Sequence, residues 1–274
     1  MTRSMTPRSA SVRRSAQSAC SIGREAMRAA RRARVDMGYG LEGPLPDLLD
    51  AIEGPGGAQV VVLDLGAAVA GACIQRPGLA LLFVNGRQAA VRQRFTLAHE
   101  FGHRRLGHAN VVDRDVDVFD AHDVSEIAAN YFAAEFLVPC EAARRWAAGR
   151  ALGLDAVVAL ASEYGVSARM ARIRLETCGA LDDPRLVARL DEEIADNLHF
   201  AVAAHLGLSD VRDGLAAAAA MMPRLPPALH GSPLGGLLAG DLTLAQAAAR
   251  SARTPDELRR ALEHMQLDRL VPSG

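Results

Sequence analysis

Hydrophobic positions follow two regimes along the chain. Between residues 59 and 85 they come in short runs, Gln59–Leu65, Val69–Gln75 and Leu79–Asn85, separated by Gly66 and the Arg76-Pro77-Gly78 turn. Runs of this length, rich in Val, Ile and Leu and bounded by turn residues, predict three strands, and the short connections suit an antiparallel meander. Elsewhere the apolar positions recur at helical spacing. A basic helix is expected over 22–37, ended by Gly38-Tyr39-Gly40 and Gly43-Pro44, and a short one over Asp47–Ile52. A longer helix follows the third strand, and another runs from Val124 to Leu137 before Pro139. The polar stretch Asn110–His122 between them reads as a loop. Glu141–Trp146, Asp155–Tyr164 and a segment from Ser167 to Cys178 predict further helices.

From Gly179 onward the pattern is alanine-rich and helical throughout, with helix starts at Asp183-Pro184, Ser209 and Thr254-Pro255-Asp256-Glu257. The Pro- and Gly-rich stretch Pro223–Gly240 divides this part, and no internal repeat is present. The expected organisation is a disordered tail over 1–20, an α+β domain over 21–179 and an α-helical domain over 180–274.

Composition narrows the function classes. Half of the 274 residues are hydrophobic and 23% are charged, as in an ordinary globular protein. A net charge of −1 provides no general basic field for nucleic acid or an anionic membrane. All 31 basic residues are arginine, a bias that resembles the codon usage of a GC-rich bacterial genome, so arginine clusters carry little meaning by themselves. Cys20, Cys73, Cys140 and Cys178 are widely spread with no CxxC pair, which argues against a disulfide framework and for the cytoplasm. No apolar run is long enough for a membrane helix. The first 24 residues contain no acid and resemble a transit peptide, but no apolar signal core follows, so a disordered tail is expected.

The chemistry concentrates in His99-Glu100-Phe101-Gly102-His103. Two histidines four apart share one helical face and can both donate to a zinc ion, and the glutamate between them can take a proton from a water on the ion's open side. Gly102 is expected to leave room close to the metal. A third ligand is needed. Glu126 lies on the next helix with Asn130 one turn later, which suits a carboxylate ligand and an amide that orients a histidine. Asp123 and Glu126 also have capping-box spacing, so Glu126 can equally serve the helix start. His108 competes as a ligand, although its spacing and that of Gly107 fail the HExxHxxGxxH pattern. Asp113, Asp115 and Asp117 alternate as in a calcium loop, but Val118 and Val124 occupy its glycine and glutamate positions, so a solvated loop is expected.

Arg94-Phe95-Thr96-Leu97-Ala98 before this motif, Glu126-Ile127-Ala128-Ala129-Asn130-Tyr131-Phe132-Ala133 through Leu137-Val138-Pro139 after it, and Val84-Asn85 upstream resemble the signatures of the ImmA/IrrE metallopeptidases over roughly residues 22–179. The resemblance implies a gluzincin-like fold: a small three-stranded antiparallel sheet on a zincin-like helical core. It implies His99, His103 and Glu126 as zinc ligands, Glu100 as base, and a helix-turn-helix repressor as the protein substrate. Neither motif supplies an oxyanion donor, for which Tyr131 and His122 are chemically able. Leu79–Asn85, as the last strand of a meander, is expected to be an edge on which an extended substrate can pair.

A second function class competes. Leu160–Ser167 followed by Arg169, Arg172 and Arg174 has the form of a DNA-binding helix-turn-helix; the plainer account is a helical hairpin completing the peptidase domain. A third reading is a zinc protein that binds its partner without cutting it, against which Glu100 speaks. Neither a membrane nor nucleic acid is the expected partner.

Overall fold

The computed structural model describes the backbone of residues 7–271 apart from residues 46, 109–110, 115–122, 209–220, 266 and 269; side chains are described from residue 21 on, 113 and 114 excepted. Helix α1 (Pro7–Asp36) starts well before residue 22 and runs through the stretch expected as a disordered tail. Between Pro7 and Gly23 no further Pro or Gly interrupts it. Its buried stripe Ala26, Ala30 and Ala33 has three- and four-residue spacing, and Met37 just past the helix end continues it. α2 (Leu48–Glu53) follows, capped by the Asp47 side chain.

The sheet has four strands, β1 (Gln59–Leu63), β2 (Val69–Arg76), β3 (Leu79–Asn85) and β4 (Val111–Arg114), in the order β1-β3-β2-β4. β2 and β3 form the expected hairpin, but β1 lies parallel to β3 on its far side and β4 pairs antiparallel with β2. The expected three-stranded antiparallel meander is therefore corrected to a four-stranded mixed sheet. Asn85 organises the β1–β2 crossover: its amide donates to the carbonyls of Gly66 at 2.6 Å and Val69 at 2.7 Å. β3 is paired on both sides and cannot be the expected edge. Part of the stretch expected as a loop, Val111–Arg114, supplies the fourth strand instead; the remainder up to His122 lies outside the described residues.

Both faces of the sheet are covered. Val60, Val62, Cys73, Leu82 and Val84 face a helical layer that includes α1, α3 (Ala90–Leu106) and α4 (Val124–Leu137). That layer continues through α5 (Cys140–Ala147), α6 (Leu154–Tyr164), α7 (Ala168–Thr177), α8 (Pro184–Ala195) and α9 (Leu198–His205). Val61, Ile74, Leu81 and Phe83 face the opposite way, onto Leu229 and onto α10 (Pro233–Leu238), α11 (Leu244–Arg250) and α12 (Pro255–His264). Residues 180–274, expected as a helical domain, thus contribute to both cores. The chain also closes the outer side of β1, where Val62 and Arg224 exchange backbone hydrogen bonds of 3.0 and 2.8 Å. The predicted helix starts at Asp183 and Thr254 are present with their side-chain caps; that at Ser209 lies outside the described residues.

Cys140 and Cys178 form a disulfide with Cα atoms 5.2 Å apart. This corrects the expectation of unlinked cysteines and removes the compartment argument built on it. Their separation of 38 residues is spanned by α5, α6 and α7, whose packing brings the two together. No helix among the described residues is long and apolar enough to cross a membrane.

Candidate metal centre

α3 is the central helix of the first layer, and every residue from Phe95 to His103 is buried. One face meets the sheet. At Gly71 on β2 an added Cβ would collide with the Glu100 carboxylate, with Thr96 at 2.7 Å and with the Phe83 carbonyl at 2.8 Å. Only glycine there lets the motif helix lie this close to the strand. The other side meets α4. At Gly102 an added Cβ would stand 3.0 Å from the Phe132 ring, so this glycine makes room for α4 and not, as expected, for a metal.

His99, His103 and Glu126 offer ligand atoms that all lie within 4.8 Å of one another. The Nε2 atoms of His99 and His103 are 2.9 Å apart, and Glu126 Oε2 and Oε1 lie 3.1 Å and 3.4 Å from them respectively. A tetrahedral ion with bonds of about 2.0–2.1 Å separates its ligand atoms by about 3.3 Å, so the observed triangle fits zinc. The donor set, two imidazoles and a carboxylate, is that of a zinc site with one open position. Burial alone would raise the Glu126 pKa, but hydrogen bonds and charge interactions with His103 and His99 outweigh it and hold the carboxyl well below its ordinary range. The capping alternative for Glu126 is not what the structure contains: the Asp123 carboxylate caps α4 through the Ser125 N–H at 2.7 Å, and the Glu126 side chain turns to the histidines.

Two neighbours stand behind the imidazoles. Asn130 Oδ1 lies 2.9 Å from His99 Nδ1, as its position one turn after Glu126 predicted. His108, the rival ligand, is not in the triangle; its Nδ1 lies 2.8 Å from His103 Nδ1, the nitrogen turned away from the other ligand atoms. Burial first, then the His103 imidazole, lower the pKa of His108. In the sequence, Gly107 before His108 is the signal that the chain folds back there.

Tyr131 packs its ring over Gly23 of α1, with ring atoms 3.0–3.1 Å from where a Cβ would stand. His122 lies outside the described residues. The α6–α7 hairpin has a left-handed turn at Gly165 and a Ser167 cap, as a helix-turn-helix would, but its turn is tied to the motif helix by Arg94 donating to the Gly165 carbonyl at 3.1 Å. Arg174 is buried and pairs with Glu135; Arg172 pairs with Glu176 at 2.5 Å and Asp191 at 2.7 Å.

Residues 57–176 match the Peptidase_M78 family model, described as an IrrE N-terminal-like domain. No curated protein matches the chain. The matched span contains the sheet, the three candidate ligands and the hairpin.

Proposed function

Given that residues 57–176 are an IrrE N-terminal-like domain of the Peptidase_M78 metallopeptidases, we propose that the chain is a zinc-dependent endopeptidase that cleaves a helix-turn-helix repressor and so relieves repression. One observation carries the reading: two imidazole nitrogens and a carboxylate converge at zinc-ligand spacing, and the residue that follows the first of these histidines on the helix is a buried glutamate. When bound, the ion polarises the scissile carbonyl and acidifies water. Glu100 follows His99 on the same helix, is fully buried, and takes the proton from the attacking water. It then delivers that proton to the leaving amine nitrogen as the C–N bond breaks. Asn130 accepts from His99 Nδ1–H and thereby keeps the ring aimed with Nε2 toward the ion.

Substrate docking moves from β3 to β4. Pairing places Asp113 of β4 opposite Gly71, the residue against Glu100, and among the described residues no strand pairs with the outer side of β4. An extended segment added there would run beside the motif helix. A repressor substrate places the reaction in the cytoplasm. A DNA-binding role for α7 is poorly supported, because Arg172 and Arg174 are engaged inside the protein. The alternative that remains is a protein that binds its partner without cutting it.

Glu100→Gln separates these readings. Zinc content and folding should be unchanged while cleavage of a co-expressed helix-turn-helix repressor falls about 10²–10⁴-fold. Undiminished cleavage in this variant would remove Glu100 from the mechanism. A zinc-loaded parent that cuts no such repressor would point to binding without hydrolysis.

A further inference from the structure

We propose that His108 is a positioning residue for the metal centre, holding His103 in the tautomer that turns the Nε2 lone pair toward the ion. The proposal rests on the reading of His99, His103 and Glu126 as ligands. His103 Nδ1 lies 2.8 Å from His108 Nδ1, a hydrogen bond in which one nitrogen must donate and the other accept. For His103 to present a lone pair at Nε2, its proton has to sit on Nδ1, so His108 is the acceptor and carries its own proton on Nε2. His99 already obeys the same logic through Asn130. The two ligand imidazoles are thus held from behind by different groups, an amide for one and an imidazole for the other.

The backbone around His108 is built for this. α3 ends at Gly107, whose φ of 72° is one that only glycine adopts without strain, and the chain folds back so that His108 N–H donates to the His103 carbonyl at 3.0 Å. Gln75 on β2 fixes the other side of the residue by donating its amide to the His108 carbonyl at 3.1 Å. The two rings meet edge to face with centroids 4.9 Å apart. The C-cap, the sheet and the ring contact together leave His108 facing His103 rather than the ion.

Zinc affinity measured by competition with a chromophoric chelator tests the assignment in the full chain. His108→Phe keeps a ring but has no acceptor, and should weaken zinc binding about 10- to 100-fold. His108→Asn keeps an oxygen near the position of Nδ1 and should restore most of that loss, while the melting temperature of the zinc-free protein stays the same in both. Parent-like affinity in His108→Phe, or equal loss in His108→Asn and His108→Phe, overturns the proposal. Should His108→Phe melt early without zinc, His108→Ala takes its place in the same comparison. His103→Ala is the control for the underlying reading: if it retains zinc at parent affinity, the ligand set itself is wrong, whereas loss in His103→Ala with none in His108→Phe sinks only the role given to His108.

Discussion

Glu126 and Glu135 stand near opposite ends of α4, and each faces two basic side chains. Around Glu135 the partners are guanidiniums. Arg174 pairs with one oxygen and Arg31 with the other at 2.6 Å, and the Cys140 N–H adds contacts at 3.3 and 3.4 Å. Around Glu126 the partners are the imidazoles of His99 and His103, at 3.1 and 3.4 Å. An arginine keeps its charge at any ordinary pH, so the charge of the Glu135 carboxylate is met by the protein's own side chains. A neutral imidazole held at Nδ1 turns its Nε2 to the site, so the Glu126 cluster gathers two ring nitrogens and a carboxylate at the spacing that a cation from outside would bridge. Two glutamates on one helix therefore do different work because of what faces them: one ties α1, α4 and α7 together, the other makes a socket.

Glu135→Ala should produce the largest effect on folding. It leaves Arg174, 2% exposed, buried without its carboxylate, and should cost about 3–5 kcal/mol in denaturant unfolding, equally with and without zinc. An unfolding midpoint close to that of the parent would show that the cluster is not the tie described here. Glu126→Ala should do the converse. Zinc affinity should drop about 100-fold, or roughly 2.7 kcal/mol, while the zinc-free protein loses far less stability than it does in Glu135→Ala. If that variant holds zinc as tightly as the parent, or unfolds as readily as Glu135→Ala, the contrast between the two clusters collapses. Arg31→Ala should have the smallest effect. Its side chain is 41% exposed, water replaces much of what it gives Glu135, and the loss should stay at about 0–1 kcal/mol by the same unfolding measurement.

The sequence disclosed the socket more readily than the tie, for a physical reason. His99, Glu100 and His103 act through one turn of one helix, so their spacing is itself the geometry, and Asn130 follows Glu126 by another single turn. Glu135 takes its partners from α1 and α7, and nothing local in Phe132–Leu137 announces them. β1, β2 and β3 were legible for the same reason of locality, and so was the β2–β3 hairpin; β4, in a polar stretch, was not. Their order was not, because it is set by Asn85 holding the Gly66–Val69 crossover from the far end of β3. The unbroken apolar run Leu79–Val84 in β3 carries a signal of its own: six consecutive hydrophobic positions in a strand leave no wet face. That second covered face belongs to α10, α11 and α12, which lie far along the chain and match no motif.

The pairing of Val62 with Arg224 also sets a timetable for the nascent chain. A ribosome working from the N-terminus finishes the motif helix, α4 and the hairpin long before Arg224, Leu237 or Leu262 emerge. Until then Val61, Ile74, Leu81 and Phe83 have no cover, and β1 shows an open side to any neighbouring strand. The segment that carries all the candidate chemistry is therefore not the segment that completes itself. Cutting the gene after residue 176 would preserve each ligand and discard the layer that keeps the sheet dry.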